Sequence, residues 1–131
     1  MSTATSIRQT AIFKASPHEV YEALIDSKKH SEFTGSEASI SRAFGVRFST
    51  WDGYAEGKNL EFVPDEKIVQ TWRASDWPEG YYSKVTFMLA LVASGTLLTF
   101  YQTDVPDEFK KEIARGWREY YRQPLKRYLE K

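Results

Sequence analysis

Between Glu37 and Thr103 the chain alternates strand-forming runs with turn-forming residues and shows no helical period, a pattern that folds most simply as an antiparallel meander. Strands are predicted at residues 37–41, 45–51, 54–62, 67–74, 82–92 and 96–103. Val85, Phe87, Leu89 and Leu91 share one face, with Lys84, Thr86 and Met88 on the other; Leu98 and Phe100 repeat the alternation after an Ala93-Ser94-Gly95 loop. Asp52-Gly53 has the composition of a two-residue hairpin turn, Pro64-Asp65 stops one strand, and Trp77-Pro78-Glu79-Gly80 forms a short aromatic loop. Gly57 inside a strand predicts a bulge that bends the sheet.

The flanks are different. Residues 1–6 read as a small polar tail and residues 7–15 as a strand, with Ile7, Ala11 and Phe13 on one side. Ser16-Pro17-His18-Glu19 is a helix start: a capping serine, proline at the first helical position, and a glutamate placed to reach back to the cap. Val20, Tyr21 and Leu24 give that helix an apolar stripe, and residues 28–33 form a second short helical turn. A long helix is predicted from Pro106 to about Glu130, about 36 Å in length. Phe109, Ile113, Gly116, Trp117, Tyr120, Tyr121, Pro124 and Tyr128 recur along it at helical spacing, while lysines and arginines cover its other side. Gly116 and Pro124 are unusual inside a helix and predict a bend across a curved sheet. No repeat or linker interrupts the order, so residues 7–131 read as one α+β domain.

Composition narrows the chemistry. Eighteen basic and eighteen acidic side chains balance, so no overall field recruits nucleic acid or an anionic membrane. Glu112, Glu119 and Glu130 interrupt the basic face of the long helix, and solvation explains that face. The absence of cysteine excludes disulfides, thiolate catalysis and cysteine-ligated zinc. No apolar run has the length of a membrane span, and the first residues lack the form of a secretory signal, so a cytoplasmic location is expected. His18 and His30 stand in polar surroundings without a dyad or metal-binding spacing, and both are expected on the surface. No catalytic residue, metal ligand or cofactor motif is predicted.

The aromatic share of 15% points to a thick core or an aromatic-lined cavity. Candidate cavity walls are Phe48, Trp72, Phe87, Phe100, Trp117 and Tyr121, against the simpler reading that Trp72 and Trp117 only fill the core. Trp51 and Trp77 lie beside turns, where an exposed aromatic can anchor a partner.

This order of elements resembles the START-like, or helix-grip, superfamily. Ala15-Ser16-Pro17 through Leu24, Trp51-Asp52-Gly53, the VQTWR run of residues 69–73, Trp77-Pro78-Glu79-Gly80 and Gly116-Trp117 with Tyr120-Tyr121 carry the likeness further. Together they resemble the C-terminal domain of the activator of heat-shock protein 90 ATPase and its single-domain homologues. The resemblance implies a curved, seven-stranded antiparallel sheet wrapped around the long C-terminal helix. It also implies weak contact with a chaperone, because the family's separate N-terminal domain and its NxNNW motif have no counterpart in these residues. The leading expectation is a non-catalytic module holding a small apolar ligand between sheet and helix. A co-chaperone-like protein-binding domain is the alternative, and a small START-like enzyme a further one.

Overall fold

The structure is a computed structural model, and it describes residues 4–40 and 47–130. Strand β1 (Ala4–Phe13) is followed by helices α1 (Pro17–Ile25) and α2 (Ser27–Thr34). Strands β2 (Arg47–Thr50), β3 (Ala55–Val63), β4 (Lys67–Ala74), β5 (Ser83–Val92) and β6 (Gly95–Pro106) then run as a meander. The sheet order is β1-β6-β5-β4-β3-β2, every neighbouring pair antiparallel. The first strand therefore closes against the last, and the helices lie across one face.

The local chemistry of the helix starts follows the sequence. The Ser16 hydroxyl accepts from the Glu19 backbone N–H, and the Glu19 carboxylate accepts from the Ser16 N–H. Asp26 ends α1 and also caps α2, its carboxylate accepting from the Lys29 N–H at 3.0 Å. The two short helices therefore meet at a sharp corner.

The sheet departs from expectation at five places. Six strands are present among the described residues rather than seven. Of the predicted strand 37–41, the described residues 37–40 make one isolated bridge, Ser39 to Ser49, and form no strand; Ser41 lies outside the described residues. The predicted strand at 45–51 is described from Arg47 and ends at Thr50; Gly45 and Val46 lie outside the described residues, as do 1–3 of the predicted tail. β1 begins at Ala4, where register with β6 extends the pairing to Pro106.

The β2–β3 connection is not a two-residue hairpin. Thr50 pairs with Ala55, and residues Trp51–Gly53 form a 3₁₀ turn closed by the Tyr54 N–H on the Trp51 carbonyl. Finally, Gly57 pairs in register with Phe48, and the bulge lies at Leu60, between the Asn59 and Glu61 pairings. Glycine at 57 has a different cause. A Cβ there would stand 1.8 Å from the Thr71 carbonyl oxygen, so only glycine lets β3 approach β4 this closely.

After β6, a 3₁₀ turn (Asp107–Phe109) leads into α3 (Lys110–Gly116), a π-helical segment (Trp117–Arg122) and α4 (Gln123–Leu129), all continuous. The Gln123 N–H donates to the Arg118 carbonyl, five residues back. Pro124 has no N–H to give, so a plain α-turn at that point would leave a carbonyl unpaired, and the wider turn accommodates this. The wide turn also has a packing consequence. In an α-helix, positions four apart drift by about 40° per step. The π segment cancels part of that drift, and Ile113, Trp117, Tyr121 and Leu125 are all buried against the sheet.

The core lies between this helix and the inner sheet face, where Ile68, Trp72, Val85, Phe87, Leu89, Leu98 and Phe100 meet Val20 and Leu24 of α1. Leu91 continues the alternation of β5 but is 76% exposed, beyond the cover of the helices.

Candidate functional site

Where the C-terminal helix passes the β2–β3 turn, helix and sheet diverge and leave a cleft of about 430 Å³. Trp72 from β4, with Trp117 and Tyr121 from the π segment, forms its deep wall. Ile113 and Gly116 bring α3 to one side, and Trp51 faces them from the 3₁₀ turn. Tyr54, Glu112 and Arg115 make the outer rim. Four rings form an arc: Trp72 and Trp117 are 5.5 Å apart between centroids, Trp117 and Tyr121 4.8 Å, and Tyr121 and Trp51 6.3 Å.

A buried chain of three hydrogen bonds and one further buried contact hold the deep wall. The Trp117 indole N–H donates to Gln102 Oε1 at 2.8 Å, the Gln102 amide donates to Ser83 Oγ at 2.8 Å, and the Ser83 hydroxyl donates to the Trp72 carbonyl at 2.7 Å. This chain fixes the amide orientation of Gln102 and ties both tryptophans of the wall to the sheet. Tyr121 is held by His30, whose Nε2 lies 2.9 Å from the phenol oxygen. Burial lowers the His30 pKa to about 4, so the imidazole is neutral at pH 7. Burial likewise raises the Tyr121 phenol far above its usual range. The contact is an uncharged hydrogen bond, and His30 Nδ1 has no partner among the described residues.

His30 corrects the surface assignment made from its polar neighbours. It is 1% exposed, because α2 turns His30 and Phe33 inward against the C-terminal helix. His18 is on the surface, with Nδ1 2.9 Å from the Asp65 carboxylate, a pairing across 47 residues that local spacing does not reveal.

The expected exposure of Trp77 is overturned as well. It is 4% exposed, stacked on Phe109 and edge-on to Trp72. Arg73 donates to the Trp77 carbonyl at 2.7 Å and draws the WPEG loop down over the core. Trp51 is half-buried at the cleft mouth with a φ of 59°, a conformation that costs a bulky residue free energy.

Of the six aromatic candidates, Trp72, Trp117 and Tyr121 line the cleft. Phe87 and Phe100 sit behind them, 6.0 and 4.4 Å from the Trp117 ring, and Phe48 is buried in the core beside Gly57. Glu112, Arg115 and Tyr54 were not anticipated at the cleft. A helical wheel through Ile113 and Gly116 places 112 and 115 beside that stripe, and this was the available signal. Among the described residues no cluster of three or more metal-ligating side chains occurs, and no helix is long and apolar enough to cross a membrane.

Comparison with known proteins gives a consistent assignment. The sequence model of the family described as "Activator of Hsp90 ATPase homolog 1-like protein" matches residues 14–130. The chain is 32% identical over 118 residues to an activator of 90 kDa heat shock protein ATPase homolog from Dictyostelium discoideum, covering 88% of this chain and 30% of that protein. It is 28% identical over 114 residues to the human activator of 90 kDa heat shock protein ATPase homolog 1, covering 87% and 34% respectively. The chain therefore spans about a third of the length of these curated relatives.

An HSP90 activator from Plasmodium falciparum shares the fold, with a TM-score of 0.88 at 23% identity over 95% of this chain and 96% of that one. The Aha1 dimer from Colwellia psychrerythraea does so with a TM-score of 0.83 at 21% identity, over 96% of each chain. With the family match spanning nearly all of its α+β fold, the chain belongs to the activator of Hsp90 ATPase homolog 1-like family.

Proposed function

We propose that this domain is a co-chaperone-like module that contacts a heat-shock protein 90 homologue and modestly raises its ATPase rate. The family match over residues 14–130 carries this reading, and the names of the curated relatives supply the partner class. Trp51 and Tyr54, side by side at the open end of the fold, offer accessible aromatic surface of the kind that anchors protein contacts. Buried Trp77 does not. The test is an ATPase assay on the host's own heat-shock protein 90 homologue, paired with a pull-down. A rise in turnover that is lost in Trp51→Ala, with the fold retained by circular dichroism, is the expected result. No binding and no stimulation at high micromolar concentration would refute the proposal.

The cleft favours a second reading, a non-catalytic site for a small apolar ligand. Its volume lies within the range of small-molecule sites, and its deep wall is aromatic. Catalysis would need a titratable group over that wall, whereas Glu112 is on the exposed rim and His30 lies behind Tyr121. A native mass above 15.2 kDa after purification supports the ligand reading. Failure of any aromatic or aliphatic compound to shift the melting temperature would remove it.

A further inference from the structure

Gly116 is the least explained residue of the cleft. Glycine inside a helix weakens it relative to alanine, and such a residue is normally retained because another chain segment approaches too closely for a Cβ. Here nothing lies within 4 Å of the position a Cβ would occupy. The backbone of Gly116 is ordinary helix, with a φ of −59°, so no turn geometry demands glycine either. The space left open by the missing side chain is the cleft itself.

The rim adds charge. Arg115, its one cation, turns its Nε toward Glu119, 3.9 Å from Oε2. The Glu112 carboxylate has neither an ion pair nor a hydrogen bond among the described residues, and Glu112 stands at the edge of the ring arc. Tyr54, across the mouth, has its phenol raised above the usual range by burial first, and then by the carboxylates of Asp76 and Glu112. Glu119 is shared with Arg118, so the two rim charges of the cleft, Glu112 and Arg115, balance; what the rim offers a cation is the Glu112 carboxylate, and the interior offers the faces and edges of Trp51, Trp72, Trp117 and Tyr121. Indole and phenol rings attract cations through their quadrupoles, most strongly where water is excluded.

We propose that the cleft binds a small amphiphilic organic cation, an alkylated ammonium carried on an apolar body. The ammonium sits between the aromatic arc and the Glu112 carboxylate, and the apolar body lies along the groove opened by Gly116. A volume of about 430 Å³ holds more than an ammonium head group, which is why an apolar body is part of the assignment. This inference rests on the ligand reading of the cleft and adds to it a charge, an orienting residue and a residue that keeps the site open.

The experiment compares (4-phenylbutyl)trimethylammonium with its neutral isostere, in which a quaternary carbon replaces the nitrogen, by tryptophan fluorescence and calorimetric titration. The cation is expected to bind wild-type protein about tenfold more tightly than the isostere. Glu112→Gln, an exposed and isosteric change, should reduce that preference to the part the rings supply and leave isostere binding unaltered; an undiminished preference overturns the role of Glu112. Gly116→Leu should abolish binding of both compounds without lowering the melting temperature, because its side chain enters open space.

Equal binding of both compounds to wild-type protein overturns the cation assignment and leaves the apolar-ligand reading standing. Absence of binding by either compound removes both. Binding that persists in Gly116→Leu places the site elsewhere and also overturns the proposal.

Discussion

At the scale of single residues, the stability of the fold near the cleft depends on polar atoms that the interior keeps uncharged and paired. His30 has a pKa of about 4 in the folded protein against an ordinary value of 6.5, so the unfolded chain binds more protons between those limits. Its contribution is fully present above pH 6.5, falls as the pH drops toward 4, and changes no further below that. Over this window the loss amounts to about 3 kcal/mol. Urea unfolding at pH 7 and pH 4.5 should show the fall, and His30→Gln, which keeps a hydrogen-bonding group near Tyr121, should flatten it. An unchanged pH dependence in that variant would show that other groups carry it.

Gln102 gives a second residue-scale prediction. Gln102→Leu removes both side-chain hydrogen bonds of that residue and leaves the Trp117 N–H unpaired in the interior, at a cost of about 1–3 kcal/mol. Trp117→Ala loses that bond and opens a cavity behind the cleft, at about 3–5 kcal/mol. Chemical denaturation reads both, and the ranking of the two is the sharper check, since Trp117→Ala should always be the more damaging.

At the scale of elements, the sequence is most legible where one local rule decides the outcome. The capping box at Ser16 and Glu19, the alternation of β5 and β6, and the 4-residue spacing from Ile113 to Tyr121 each follow from neighbours in the chain. Legibility fails where the deciding contact is distant. Gly57 reads as a bulge because a glycine in a strand has two common causes, and only the Thr71 carbonyl beside it selects close approach. His30 reads as exposed because its own segment is polar, whereas its burial is decided by Tyr121, 91 residues away. Trp77 reads as exposed because it sits in a loop, but Arg73 and Phe109 draw that loop inward.

The cleft shows the same division. Its aromatic wall was visible as a helical stripe, and its charged rim was not, because the rim is created by how far the helix stands from the β2–β3 turn. The π segment makes an element-scale prediction. Pro124→Ala restores an N–H and permits a plain α-turn, which would rotate Tyr121 relative to Trp117. The variant should therefore gain helical signal by circular dichroism while losing the His30–Tyr121 hydrogen bond, read from the His30 imidazole nitrogen shifts by NMR at pH 7. Retention of that hydrogen bond would mean that packing, not the proline, sets the wide turn.

At the scale of the whole molecule, the sheet order sets an uneven distribution of stability that coincides with the cleft. β5 and β6 are long, sit between neighbours on both sides and carry Val85, Phe87, Leu98 and Phe100 into the core. β2 has four residues, one neighbouring strand and an edge bridged to the rest of the chain only by Ser39 among the described residues. Opening β2 and the 3₁₀ turn after it exposes the apolar surface of Phe48 and half-buried Trp51, a small part of the core, so it should occur below the free energy of global unfolding. Native-state hydrogen exchange should then separate two classes of amide: those of β5 and β6 exchanging only through global unfolding, and those of β2 exchanging through a smaller opening. Because Trp51 and Tyr54 belong to this weaker edge, anything that seats in the cleft or docks on its mouth stabilises the closed form of that edge first. Saturation with the bound compound or the chaperone should therefore slow exchange in β2 by more than in β5. Uniform protection, or exchange in β2 as slow as in β5 without any addition, would show that the edge is not the compliant part of the fold.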